Sequence, residues 1–144
     1  MDANDESAPM PVLLFDGECG LCQACVRALL HADRAAALRY APLQGAVAQA
    51  FLRAQGLPTA DFDTLIFVPD WRRQQPGRFL VRTDAVLAAC ATVGGGMGAL
   101  AELRVVPRGL RDGVYRLVAR WRYRLFGEYR PRPLARAEWR ERFL

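Results

Sequence analysis

Apolar residues fall into short blocks along the chain, and the spacing inside each block separates strands from helices. Residues 12–15, Val-Leu-Leu-Phe, are apolar without interruption and end at Asp16-Gly17, the pattern of a strand buried on both faces. From Cys22 to about Ala32 the period changes, and Cys22, Cys25, Val26, Leu29 and Leu30 fall on one stripe of a helix. Residues 38–43 (LRYAPL) read as a second strand stopped by Pro42, and residues 46–56 (AVAQAFLRAQG) as a second helix closed by Gly56. Strand, helix, strand, helix suggests a parallel pair joined by a right-handed crossover.

Beyond residue 60 the rhythm changes. TLIFV (64–68) and RFLVR (78–82) flank the polar segment PDWRRQQPG and read as an antiparallel hairpin, followed by a helix through about Val93 with Thr83 as its N-cap. A βαβ unit followed by a ββα unit is the minimal thioredoxin-like arrangement, so the expected class is α/β with a thioredoxin-like core. GGGMG (94–98) follows a helix and not a strand, the wrong order for a phosphate-binding loop, and reads as a joint. After it, RGLRDGVYRLVARWRYRLF places Leu110, Val114, Leu117, Val118, Trp121 and Leu125 on one apolar stripe, with Arg111, Arg116, Arg120, Arg122 and Arg124 mostly off it. The expectation is a C-terminal helical extension over about 97–127 whose stripe packs on the core. The chain then divides into an N-terminal tail (1–11), a single domain (12–127) and a loosely ordered Arg- and Pro-rich tail (128–144).

With 144 residues, 52% hydrophobic and 24% charged, the chain can bury a real core as one ordinary domain. The opening MDANDESAPM lacks the positive start and apolar centre of a secretion signal, and the longest apolar runs are too short to cross a bilayer, so a reducing cytoplasm is the expected compartment. There, clustered cysteines point to catalysis or metal binding before structural disulfides. The net charge of +5 is concentrated at one end: residues 101–144 hold 12 arginines against five acids. All 20 basic residues are arginine. Without a base-reading motif this does not argue for nucleic acid, and the basic helix is expected to pack its stripe and leave its arginines in water; the alternative is a redox-sensing or binding module that uses this helix to dock on an acidic partner or an anionic membrane surface.

Three of the four cysteines, Cys19, Cys22 and Cys25, follow the first strand at three-residue intervals. Cys19 falls where the turn gives way to the helix, facing unpaired amides and the positive end of the helix dipole, which stabilise a thiolate over a thiol. Cys22 is one turn further on the same face, within reach of a residue not locked into helix. Cys19 is then an attacker and Cys22 a resolver. Cys25 repeats the spacing inside the helix, where neighbouring side chains splay, and reads as a small buried hydrophobe, as does Cys90. His31 reads as a capping or surface residue. A metal site would need four ligands, and only Cys90 or His31 is left to complete three; no metal or cofactor is expected. Asp16 is open to two roles: accepting the proton of Cys22 as that thiol attacks a mixed disulfide, or bonding the amides of the turn.

The run Asp16-Gly-Glu-Cys19-Gly-Leu-Cys22, preceded by VLLF, resembles the Asp-x-x-Cys-x-x-Cys signature of the DCC family of thiol-disulfide oxidoreductase-like proteins. The resemblance continues through APLQ (41–44), TDAVL (83–87) and residues 107–127. It implies a thioredoxin-like fold, a bacterial cytoplasmic protein, and dithiol-disulfide exchange at Cys19 and Cys22 with Asp16 as the third signature residue. The implied partners are a protein or small-molecule disulfide or thiol substrate and a separate electron donor. One departure concerns the strand facing the cysteines: thioredoxins place a proline before it, and here Phe62-Asp63-Thr64 stands there.

Overall fold

The computed structural model of the protein describes residues 8–60, 64–126 and 137–144. Its strands are β1 (Val12–Phe15), β2 (Arg39–Pro42), β3 (Ile66–Val68) and β4 (Leu80–Val81), in one sheet ordered β2-β1-β3-β4. Helix α1 (Gly20–Ala32) carries the chain from β1 to β2, which pairs parallel with β1 from Val12 opposite Arg39 to Phe15 opposite Pro42. After α2 (Ala46–Gln55), β3 returns antiparallel to β1, β4 is antiparallel to β3, and α3 (Arg82–Val93) follows. This is the expected α/β, thioredoxin-like βαβ–ββα order.

Strand β1 shows why its sequence is continuously apolar. Successive side chains of a strand point to opposite faces. Leu13 and Phe15 therefore join Cys22, Val26, Leu29, Ala85 and Ala89 beneath α1 and α3, whereas Val12 and Leu14 join Ala48, Phe51 and Leu52 beneath α2. Both faces are covered, so no polar position is tolerated. Gly56 ends α2 as expected, at φ +69°, with its N–H bonded to the Leu52 and Arg53 carbonyls.

Two helix starts differ from expectation. Helix α1 begins at Gly20, two residues early, which makes Cys19 itself the N-cap. Helix α3 begins at Arg82 with Val81 as N-cap; the Thr83 hydroxyl does not cap it but donates to Asp112 Oδ1 at 2.5 Å, across to the C-terminal helix. Gly94, at φ +73°, ends α3, and the joint is a single turn, α4 (Gly95–Gly98), that runs into a 3-10 segment through Val105.

The largest corrections lie at the C-terminus. Helix α5 (Arg108–Phe126) forms, but the stripe of Leu110, Val114, Leu117, Val118 and Trp121 is exposed, not packed on the core. Leu125, the remaining stripe position, falls outside the described side chains. The helix is fastened instead by polar contacts: Arg111 to Asp84, Asp112 to Thr83, and the Tyr115 hydroxyl, which accepts the Leu65 N–H at 3.0 Å. These partly exposed polar pairs fix the helix rotation, and that rotation turns the aliphatic residues outward. Ala137–Leu144, expected within a loose tail, pack on the body. Trp139 and Arg142 are buried, Arg142 forms an ion pair with the fully buried Asp33, and Phe143 pairs with Tyr40 beside β2. This segment covers the otherwise open edge of β2. The first residues of the N-terminal tail and residues 127–136 lie outside the described residues. Among those described, no helix is long and apolar enough to cross a membrane.

Candidate functional site

Because β1 and β2 are parallel, their C-terminal ends lie side by side, and the loops leaving them meet. The loop after β1 carries Asp16, Gly17, Glu18 and Cys19; the loop after β2 carries Gln44. Asp16 is buried, and its Oδ1 accepts the Glu18 N–H at 3.0 Å and the Gln44 amide at 2.6 Å. Gln44 also accepts the Gly17 N–H through Oε1 at 2.9 Å, and Gln23 of α1 donates to the Gly17 carbonyl at 3.0 Å. Through Oδ1, Asp16 holds the turn. A side chain at Gly17 would meet Gln44 Oε1 and Pro42 Cβ at 3.2 Å, so the close approach of the two loops depends on glycine there.

This fastened turn delivers Cys19 to the N-cap of α1 with extended backbone (φ −92°, ψ 125°), and its carbonyl accepts the Gln23 N–H at 3.1 Å. Its thiol makes no capping hydrogen bond. Cys22 is the third residue of the helix, one turn on, and both cysteines are free thiols buried in the cluster that holds Phe15, Val26 and Leu65. The sulfurs of Cys19 and Cys22 therefore belong to one short segment, one residue outside the regular helix and one inside it.

Cys25 is corrected: it is exposed, not a buried hydrophobe. It stands with Cys22 in the wall of a cavity of about 540 Å³, whose other walls come from Leu65, Val86 and Leu87, from Val106, and from Val114 and Val118 of α5. The walls crowd Cys25 enough that burial raises its thiol above the ordinary value, with the neighbouring Cys19 and Cys90 sulfurs adding to the rise. Cys90 is buried as expected, and burial raises its thiol as well. It lies on α3, in the same buried cluster as Cys19 and Cys22. His31 is exposed and meets the Trp139 ring edge-on at 4.8 Å, the surface role expected of it. Among the described residues, no group of three His, Cys, Asp or Glu side chains is arranged to hold a metal ion.

Phe62 and Asp63 lie outside the described residues, but the next step of that loop is visible. The Leu65 N–H is taken by the Tyr115 hydroxyl of α5, and the Leu65 carbonyl by the Arg82 N–H at 3.2 Å. Reasoning from the sequence missed both Gln44 and Tyr115. Gln44 had a signal, since a polar residue directly after the second parallel strand must sit beside the loop after the first; Tyr115 had none, because only the rotation of α5 brings it to Leu65.

The model of the DCC1-like thiol-disulfide oxidoreductase family matches residues 13–128, from β1 through the end of α5. The chain belongs to that family. Among its relatives is the protein named "Uncharacterized protein YuxK" of Bacillus subtilis (strain 168), 31% identical over 139 residues, which are 96% of this chain and 97% of the relative. A second is the "DCC family protein At1g52590, chloroplastic" of Arabidopsis thaliana, 29% identical over 123 residues, covering 85% of this chain and 68% of the relative. No solved structure matches the chain significantly. Family membership points to a redox role, and the matched span includes Asp16, Cys19, Cys22, Gln44 and Tyr115.

Proposed function

We propose that the protein is a thiol-disulfide oxidoreductase that exchanges a dithiol at Cys19 and Cys22 for a substrate disulfide. The observation that carries this is the placement of two free cysteines at the N-cap and third residue of α1, behind a turn locked by Asp16 and Gln44. In the first step the Cys19 thiolate attacks one sulfur of the substrate disulfide, forming a mixed disulfide and releasing the other sulfur as a thiolate. Cys22 then gives its proton to the thiolate released in the first step and attacks the Cys19 sulfur, closing the Cys19–Cys22 disulfide and releasing the second substrate sulfur as a thiolate. The substrate has gained two electrons and the protein has lost two, which an external dithiol returns. Negative charge developing at the N-cap is met by the partial positive charge of the helix end.

Cys19 has no exposed surface, so exchange begins with movement of the side chains that cover it. The fixed turn keeps that movement from displacing the sulfur itself. The test is disulfide reduction followed by peptide mapping. The Cys22→Ser variant should trap a mixed disulfide on Cys19, and oxidised wild-type protein should contain one intramolecular bridge, Cys19–Cys22. Gln44→Ala should slow exchange while leaving the fold intact, because the amide it removes positions the turn and is itself exposed. Retention of activity in Cys19→Ser with loss in Cys22→Ser would reverse the roles, and a dominant Cys22–Cys25 bridge would overturn the pairing.

A further inference from the structure

Helix α5 meets the body along Arg111, Asp112, Tyr115 and Ala119, all partly buried. At about 100° per residue, the apolar stripe lies roughly a third of a turn away from that line, and Arg116, Arg120 and Arg124 form a ridge along the stripe's far side. Val114 is 56% exposed, Leu117 59% and Trp121 41%, and the exposed Leu103 of the preceding 3-10 segment lines the same cavity as Leu110, Val114 and Val118. The ridge arginines are exposed, and among the described residues no carboxylate pairs with them; the acids nearest to α5's contact line, Asp84 and Asp112, are engaged with Arg108, Arg111 and Thr83. The guanidinium of Arg124 lies 5.1 Å from the centre of the Trp121 ring, an aromatic and a cation side by side at the border of the stripe.

We infer that α5 is an interfacial helix that docks this protein on an anionic lipid surface, its apolar stripe entering the headgroup region and its arginine ridge meeting lipid phosphates. An in-plane amphipathic helix needs an exposed apolar face, a cationic border and low overall hydrophobicity, and α5 has all three. The charge decides between occupants. A nucleic acid would satisfy the arginines but leave Leu117 and Trp121 in water. A second copy of this chain would cover the stripe but bring one arginine ridge against another. Of these three, an anionic membrane surface is the one that satisfies both the aliphatic and the cationic side chains. The cavity beside Cys22 and Cys25 shares Val114 and Val118 with the stripe, so docking would also set its mouth against the lipid. The inference stands independently of the redox chemistry, since it requires neither Cys19 nor Cys22.

The experiment uses the full chain in sedimentation with two vesicle preparations, pure phosphatidylcholine and equal parts phosphatidylcholine and phosphatidylglycerol. Sedimentation is expected with the mixed vesicles only, falling with added salt. Each arginine near an anionic surface contributes about fivefold to partitioning, so Arg116→Gln with Arg120→Gln and Arg124→Gln should weaken it by about a hundredfold. Leu117→Ser with Trp121→Ser should abolish it, with the circular dichroism spectrum unchanged and the melting temperature lowered by only a few degrees. If the serine variant fails to fold, the glutamine variant decides alone, since exposed arginines contribute little to folding. Equal sedimentation with neutral vesicles, no sedimentation at all, or binding that survives the glutamine substitutions overturns the inference. A dimer that the serine substitutions dissociate, without any vesicle binding, overturns it in favour of self-association, and salt-sensitive DNA binding without vesicle binding does so in favour of nucleic acid.

Discussion

The way α5 is attached predicts an inversion of the usual effects of large and charged residues. Arg111 is only 12% exposed, and its guanidinium donates to the Val106 carbonyl at 2.9 Å, to Thr83 Oγ1 at 3.2 Å and to Asp84 Oδ1 at 3.0 Å, where it forms a salt bridge. We predict that Arg111→Met, which keeps the aliphatic stem and deletes these bonds, is strongly destabilising. Hydrogen bonds to charged groups are worth about 1.5–3 kcal/mol each, and the net loss here is about 2–4 kcal/mol because Asp84 keeps Arg108 and remains partly solvated. For a chain of this size that lowers the melting temperature by roughly 6–12 °C. Trp121→Ala removes a larger side chain that is 41% exposed and that meets the Arg124 guanidinium, and should cost about 0.5–1 kcal/mol, or roughly 2–3 °C. The assay is thermal unfolding of both variants followed by circular dichroism. A Trp121→Ala drop equal to or larger than that of Arg111→Met would show that the stripe is packed after all and would refute the reasoning, together with the exposed face on which lipid docking rests.

Two further predictions concern titration. The Asp112 carboxyl is held below its ordinary value of 3.8 chiefly by the hydrogen bond from Thr83; a group depressed in the folded state contributes stability that is complete above the unfolded value and is lost as pH falls below it. Stability measured between neutral pH and pH about 3 should therefore decline in acid, and Thr83→Val should flatten that part of the decline; an unchanged profile would remove Asp112 from the account. Because burial and the Cys19 and Cys90 sulfurs raise the Cys25 thiol, alkylation of Cys25 by iodoacetamide should be slow at neutral pH despite its exposure and should accelerate only above the ordinary thiol range, as followed by peptide mass spectrometry. Rapid labelling of Cys25 at neutral pH would contradict this.

Much of the fold was legible because its signals are local. The apolar run at 12–15, the 3.6-residue period of α1, Gly56 at the end of α2 and the polar turn inside the hairpin each act within a few residues, and together they dictate βαβ–ββα. The strand-to-helix turn that carries Cys19 was legible for the same reason, although the helix starts at Gly20 and not at Cys22. What tertiary structure alone decided involves residues far apart in sequence. Amphipathic spacing says that Leu110, Val114, Leu117 and Trp121 share a face, but which face of α5 meets the body was set by Arg111, Asp112 and Tyr115 finding Asp84, Thr83 and the Leu65 amide. Likewise, polar composition suggested a loose tail, whereas Arg142 finds Asp33, 109 residues away, and Phe143 covers the edge of β2. Hydrophobic periodicity reports that a face exists; it takes the partner's geometry to determine whether that face is buried, and for α5 a few matched polar groups outweighed a whole stripe of aliphatic ones.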